Sequence, residues 1–284
     1  MKKLIERILL FVIGLPLVIG IVVVLPYKRH LALNLLVISL SALGAGEFAG
    51  LLKKKHKPIA SIEALILGAM HPLAVTLTVS FDLQAPIIPG MFTLGVSWFL
   101  VSRIFAGEDK LKDVTDRVAA GCAVLVYPGL FMAWIIKMSR FAYADQVILM
   151  FLLMVIANDS AAWAVGMLWG KGNQGIIHAS PHKSVAGFIG GLTASIIVGL
   201  GAFFFIPEAF SSRRLPSVCA GMALGLISGV AACLGDLGES ALKRSVQMKD
   251  SGTLMPGRGG VLDSIDSISL AAPVYYVSYW FLFA

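Results

Sequence analysis

The sequence predicts an all-α, polytopic integral membrane protein, and three observations carry that prediction. Of its 284 residues, 58% are hydrophobic and only 14% are charged, against about 25% charged in an ordinary soluble domain. The mean hydropathy is +0.86, which excludes both a soluble globule of this size and a disordered chain. The apolar residues fall in long uninterrupted runs, which point to helices rather than to a barrel.

Nine segments are long enough to cross about 30 Å of hydrocarbon at about 1.5 Å per residue. The first, 8–26, follows Met1-Lys2-Lys3 and superficially resembles a signal peptide. No small-x-small cleavage site comes soon after it, so it reads as a retained span. The second is 31–52. The third and fourth, 61–80 and 87–105, carry interruptions at Pro72, Pro86 and Pro89. Then come 118–138, 146–169, 185–206, 216–235 and 265–283. No internal repeat, soluble domain or linker separates them. Residues 1–284 therefore read as one integral domain, with N-terminal spans over about 1–140 and a motif-bearing half over about 141–284.

Charge placement orients the spans. With a cytoplasmic N-terminus, seventeen of the 23 basic residues fall on the cytoplasmic side, among them Lys2, Lys3, Arg7, Lys57 and Lys110. The outer side keeps Lys28, Arg29, Lys137, Arg140, Arg213 and Arg214. That is the asymmetry expected of positive-inside topology. The formal charge of +7 is then mainly topological, and no nucleic-acid partner is implied. Cys122, Cys219 and Cys233 form no CxxC pair and read as small apolar packing residues.

Two cytoplasmic segments could hold chemistry. One runs from Gly170 through His178, Ser180, Pro181, His182 and Lys183. The other, 235–266, holds Asp236, Glu239, Asp250, Asp263 and Asp266, five of the sixteen acids in the chain. If the eighth span continues as a helix into the cytoplasm, Asp236, Ser240, Lys243 and Asp250 share one face, since that spacing drifts by only about 20° per seven residues. Carboxylates with an ammonium between them suit a divalent cation carrying phosphates. Gly252, Pro256, Gly257, Gly259 and Gly260 then force a loop whose backbone can approach a polyphosphate. Asp263 and Asp266 suit either metal ligation or a helix N-terminus. Within span six, Asn158-Asp159 sits among Ala157, Ser160, Ala161 and Ala162, as expected of polar residues lining a cavity. Glu47, Glu63 and His71 lie in or near spans without sequence companions that make a site.

These residues resemble the signature of the phosphatidate cytidylyltransferases. The match runs from Ser240 and Lys243-Arg244 through Lys249-Asp250-Ser251-Gly252, Pro256-Gly257-Arg258-Gly259-Gly260 and Asp263-Ser264-Ile265-Asp266. Upstream it includes Gly235-Asp236-Leu237, Asn158-Asp159, Ser180-Pro181 with Lys183, and Gly187 with Gly190-Gly191. The chain departs from the family pattern at Arg258 (usually His), Ser264 (usually Arg) and along 182–186.

The resemblance implies that phosphatidate attacks the α-phosphorus of CTP, giving CDP-diacylglycerol and pyrophosphate. It implies Asp236 and Asp250 as Mg²⁺ ligands, a second cation being allowed, and Lys243, Arg244 and Lys249 as phosphate-binding groups. Asn158, Asp159, Ser180, Lys183, Ser240, Gly257, Arg258, Gly259, Gly260, Asp263 and Asp266 would complete the substrate site. CTP, phosphatidate and membrane lipids are the implied partners, and a homodimer is allowed. The expected location is the inner membrane, with the site facing the cytoplasm. The alternatives are a CTP-dependent lipid kinase of polyprenol type, a catalytically impaired relative and a transporter. The last fits least, because charged residues near mid-membrane are few.

Overall fold

The computed structural model describes every residue except 1, 56–58, 85, 106 and 213, and no side chains for 2–11, 109 and 110. Lys57 and Arg213 therefore lie outside the described residues, as do the side chains of Lys2, Lys3, Arg7 and Lys110. The described residues form eleven α-helices: α1 (Lys2–Val24), α2 (Tyr27–Lys53), α3 (Ser61–Ser80), α4 (Ile87–Val101), α5 (Glu108–Leu111), α6 (Val114–Val124), α7 (Phe131–Met138), α8 (Ala144–Trp169), α9 (Val185–Phe205), α10 (Ser217–Ser245) and α11 (Leu262–Phe283). A π-turn over Leu125–Leu130 joins α6 to α7. Among the described residues the β features are two isolated bridges, Gln174 with Ser184 and Met255 with Gly259.

Among the described residues, six stretches are long and apolar enough to cross a membrane: α2, α3, Val114–Met138, α8, α9 and α10. Val12–Val24 and α4 are shorter apolar helices. The protein is thus an all-α, multi-pass membrane protein. The expected interruptions at proline are absorbed locally. Pro72 sits inside α3, where Thr76 Oγ1 donates to its carbonyl at 2.8 Å. Pro86 caps α4 and Pro89 occupies its first turn, where a missing N–H costs nothing. Pro128 falls in the π-turn, which keeps Val114–Met138 a single span despite the lost donor.

The chain divides into two compact units, Met1–Lys137 with Ser245–Ile265, and Met138–Arg244 with Asp266–Ala284. In the first, α2 and α3 pack closely. A Cβ on Gly68 would lie 2.8 Å from the Ser41 carbonyl, and Ser41 Oγ reaches the carbonyls of Gly68 (2.7 Å) and Pro128. Glu63, in the first turn of α3, pairs with the buried Arg117 of α6 and accepts from Trp98 Nε1 of α4 at 2.8 Å. So Glu63 has companions after all, and their work is to tie three helices together. His71 is fully buried with its ring against Phe92, as a packing histidine.

In the second unit, glycines let helices approach until backbones touch. A Cβ on Gly187 would lie 2.7 Å from the Ala162 carbonyl, and one on Gly191 would lie 2.8 Å from that of Asn158. Gly225 of α10 meets the Ser195 backbone of α9 in the same way, while Gly229 leaves room for the side chains of Asn158 and Ser195. Small residues at these contacts permit the close packing that drives helix association in lipid. Tyr275 and Tyr279 of α11 donate to the carbonyls of Val147 (2.9 Å) and Ala209 (2.7 Å).

Candidate functional site

In the second unit, α8, α9, α10 and α11 bring together charges that lie far apart in sequence. The segment between α8 and α9 is organised by Asn173, whose Nδ2 donates to the Trp169 carbonyl at 3.1 Å and whose carbonyl accepts from Val185 N at 3.1 Å. Ser180 supplies the carbonyl for Lys183 N at 3.1 Å, and Ser184 caps α9 by accepting from Gly187 N. Lys183 is thereby presented beside α10, where its ammonium pairs with Asp236 Oδ2. Both side chains are partly exposed.

One residue before Asp236, Gly235 lets α10 press against α11. A Cβ there would lie 2.5 Å from the Asp266 carbonyl oxygen and 3.2 Å from Ser267 Cα. Asp266 consequently has Asp236, Asp159 and Lys243 as charged neighbours. Ser267 Oγ donates to Asp159 Oδ1 at 3.3 Å. Lys243 pairs with Glu239, an acid with no exposed surface four residues earlier on α10. Four carboxylates, Asp159, Asp236, Glu239 and Asp266, and the two ammonium groups of Lys183 and Lys243 thus share one region of this unit.

Asn158 is spent on helix packing. Its Nδ2 donates to Ser195 Oγ at 3.2 Å, its Oδ1 accepts from Cys233 Sγ at 3.3 Å, and Ser195 in turn donates to the Met154 carbonyl at 3.1 Å. Asn158 links α8 to α9 and α10 and so sets the position of its neighbour Asp159.

The loop after α10 belongs to the first unit. Because α10 ends at Ser245, Asp250 stands in the loop rather than on a continuing helical face with Asp236, Ser240 and Lys243. That corrects the helical-face expectation. The glycines Gly252, Gly257, Gly259 and Gly260 and Pro256 disfavour helix beyond this point, and Gln247 already takes a left-handed φ of 56°. Gly257 (φ 73°) and Gly259 (φ 112°) make the tight turn closed by Met255 N to Gly259 O at 2.8 Å.

Asp263 holds this loop from inside. Its Oδ2 accepts from Ser251 N (2.8 Å), Ser251 Oγ (2.9 Å) and Gly260 N (2.7 Å). Lys249, Asp250 and Arg258 of this segment are exposed. In the other unit, Arg244 near the end of α10 is exposed as well. The loop therefore spends one oxygen of the half-buried Asp263 on its own shape and leaves Lys249, Asp250 and Arg258 outward.

Sequence reasoning passed over Glu47 and left Glu239 without a role. Glu47 Oε2 accepts from Ser251 Oγ at 3.0 Å and Leu262 N at 2.9 Å. A signal was available, since Glu47 is the one charged residue in the apolar stretch 31–52, and an acid at such a position is costly without a partner.

The donor set suits a hard cation. Among the described residues, no three His, Cys, Asp or Glu side chains form a ready cage. Mg²⁺ in phosphoryl-transfer sites takes only one or two carboxylates and completes its shell with water and substrate phosphates. Asp236, with Asp159 and Asp266 near it, offers oxygen donors of that kind, and the lysines beside them offer charge to phosphate oxygens.

Comparison with known proteins places these residues in a wider group. The sequence pattern of the cytidylyltransferase family matches residues 5–282. A phosphatidate cytidylyltransferase of Synechocystis sp. is 27% identical over 292 residues, covering 95% of this chain and 94% of its own length. One from Staphylococcus haemolyticus is 37% identical over 122 residues, covering 43% of this chain and 44% of its own. One from Mycobacterium bovis is 34% identical over 155 residues, with 55% and 44% covered.

Proposed function

Because the chain belongs to the cytidylyltransferase family, it is a nucleotidyltransferase, and we propose that it condenses CTP with phosphatidate to give CDP-diacylglycerol and pyrophosphate. The observation that carries this reading is the agreement between a full-length relative of that activity and the charged groups gathered in an apolar chain. A phosphate oxygen of phosphatidate is already anionic, so the attack needs neither a general base nor a covalent Ser or Cys nucleophile. The protein's task is to position two phosphates in line and to neutralise charge that develops on them.

Roles for the side chains follow. Lys183, Lys243, Arg244 and Lys249 supply cations to phosphate oxygens, with Arg244 and Lys249 the most accessible. Asp236 and Asp250 are assigned to Mg²⁺, Asp250 by sequence resemblance and Asp236 also by its carboxylate neighbours. When bound, Mg²⁺ would offset the negative charge of the triphosphate. Asp159 and Asp266 shape the acidic side of that region, with Ser180 and Ser240 on the turns that precede Lys183 and Lys243. Gly257, Gly259 and Gly260 let the loop backbone turn sharply beside Arg258, and Asp263 holds that loop.

Asn158 contributes by fixing Asp159. We further propose nine crossings, a cytoplasmic N-terminus and a cytoplasm-facing site in the inner membrane, since CTP is cytosolic and the acyl chains can enter between helices. A homodimer is compatible with this arrangement. Product identity tests the reading. Pyrophosphate with a CDP-lipid supports it, whereas CDP with a lipid phosphate points to γ-phosphoryl transfer by a lipid kinase.

A further inference from the structure

We infer that Glu47 is a positioning residue of the signature loop, fixing from α2 the segment that carries Asp250 and thereby the rate of cytidylyl transfer. The inference rests on the functional reading above, and it concerns a side chain in the N-terminal spans, outside every motif that the resemblance covers.

Three observations carry it. First, Glu47 Oε2 grips both ends of the loop at once, through Ser251 Oγ (3.0 Å) just after Asp250 and Leu262 N (2.9 Å) at the start of α11. The Leu262 N–H is one of the donors a helix leaves unsatisfied at its N-terminus, and a carboxylate there also opposes the positive end of the helix dipole. Second, α2 is docked on that same helix start. A Cβ on Gly44, one turn before Glu47, would lie 3.1 Å from Ile265 Cδ1 and 3.7 Å from Leu262 Cδ1.

Third, two loop glycines are shaped to this carboxylate. Neither Gly252 nor Gly260 adopts a left-handed φ, so backbone conformation does not require glycine at either place. Space does. A Cβ on Gly252 would collide with Glu47 Oε1 and lie 2.7 Å from its Cδ, and one on Gly260 would collide with both Ser251 Oγ and the Glu47 Oε2 it binds. Glu47 Oε1 is itself buried without a hydrogen-bond partner among the described residues.

The chemistry of the junction explains its stiffness. The Ser251 hydroxyl has one proton to donate and lies 3.0 Å from Glu47 Oε2 and 2.9 Å from Asp263 Oδ2. Asp263 N lies 3.3 Å from Ser251 Oγ as a further donor. Ser251 is thus held between an acid from α2 and an acid from α11, and Asp250 is the residue immediately before it. Displacing a reacting or ligating group by about 1 Å is enough to cost about 100-fold in rate. Glu47 acts through Asp250 and touches no substrate.

The experiment compares purified full-length wild type, Glu47→Ala, Gly252→Ala and the double variant. Steady-state kinetics use CTP, Mg²⁺ and phosphatidate, and amide hydrogen exchange follows residues 251–262. Expected for Glu47→Ala is a kcat lower by about 10- to 100-fold with the KM for phosphatidate within about twofold. Exchange over 251–262 should be faster by about tenfold while α8 and α9 keep wild-type protection. Gly252→Ala should impair the wild type yet add nothing to Glu47→Ala, because the side chain it would strike is gone.

Wild-type kcat and loop protection in Glu47→Ala overturn the inference, as does a Gly252→Ala effect of equal size in both backgrounds. If Glu47→Ala also loses protection in α8 and α9, Glu47→Gln decides. It keeps one acceptor oxygen and loses the charge, so an intermediate fall in kcat supports the inference and wild-type behaviour overturns it. Should the wild type form no CDP-lipid, the functional reading fails by itself. Exchange over 251–262 then settles the positioning claim, with unchanged protection in Glu47→Ala overturning it.

Discussion

Asp263 and Asp266 lie three residues apart on α11, yet they belong to different units and have different surroundings. Asp263 has its Oδ2 occupied by three loop donors. Asp266 stands among other charges, with Asp236, Asp159 and Lys243 as neighbours. In the first unit Glu47, Glu63 and Asp263 serve as internal fasteners. In the second they are set against lysines in a region that stays partly accessible, as with Lys183 and Asp236. The lesson is that an acid in a signature is not thereby a ligand; what already occupies its oxygens decides its job.

The largest expected effect belongs to the charge cluster. Asp236→Asn and, on the sequence assignment, Asp250→Asn should lower Mg²⁺-dependent product formation by about 100-fold or more without altering expression or topology. Near-normal turnover at limiting Mg²⁺ would contradict the assignment of whichever residue showed it.

A sharper contrast comes from the neighbouring pair. Asp266→Asn should reduce kcat by about tenfold or more while leaving hydrogen exchange over 251–262 as in the wild type. Asp263→Ala should instead release that segment, because three donors lose their acceptor, at about 1–3 kcal/mol for a buried group left unsatisfied. If both variants changed loop exchange alike, the contrast between the two acids would collapse.

A smaller effect is expected within the loop. Arg258 stands where the family pattern has His, and Ser264 where it has Arg. Ser264 Oγ donates to the Gly260 carbonyl at 3.1 Å, while Arg258 is exposed. If Arg258 supplies the cation that Ser264 does not, Arg258→His should lose activity several-fold and Arg258→His with Ser264→Arg should recover it. Failure of the double variant to recover the loss would end the compensation idea. Smallest of all, Ser195→Ala removes a donor to Met154 and a partner of Asn158. It should cost about 0.6 kcal/mol of stability in thermal unfolding with little change in kcat, whereas a large loss of kcat would make this network part of the chemistry.

Much of the fold was legible because a membrane span leaves a coarse mark. The apolar stretches at 61–80, 146–169 and 185–206 coincide with α3, α8 and α9 to within two residues at either end. The end of α10 was harder to place. Ser240 through Ser245 continue the helix past the apolar run, because polar residues such as Glu239 and Lys243 pair along its side. The loop's anchorage was not legible either. Ser251 and Glu47 are separated by 204 positions, and no local pattern announces a contact of that range. Glycine told half of its story: Gly257 and Gly259 serve the turn, as glycines in loops commonly do, whereas Gly252 and Gly260 make room for a side chain that only the folded chain brings there. Likewise Asn158 looked like a cavity group by polarity, and its hydrogen bonds instead join helices.

The central claim is that this chain transfers a cytidylyl group to a phospholipid. The most direct measurement incubates purified protein with Mg²⁺, phosphatidate and CTP labelled at the α-phosphorus, then separates the lipids. The account predicts that label enters a lipid that co-migrates with CDP-diacylglycerol, with pyrophosphate released in equal amount. Label retained in soluble CDP, with the lipid gaining an unlabelled phosphate, would contradict it.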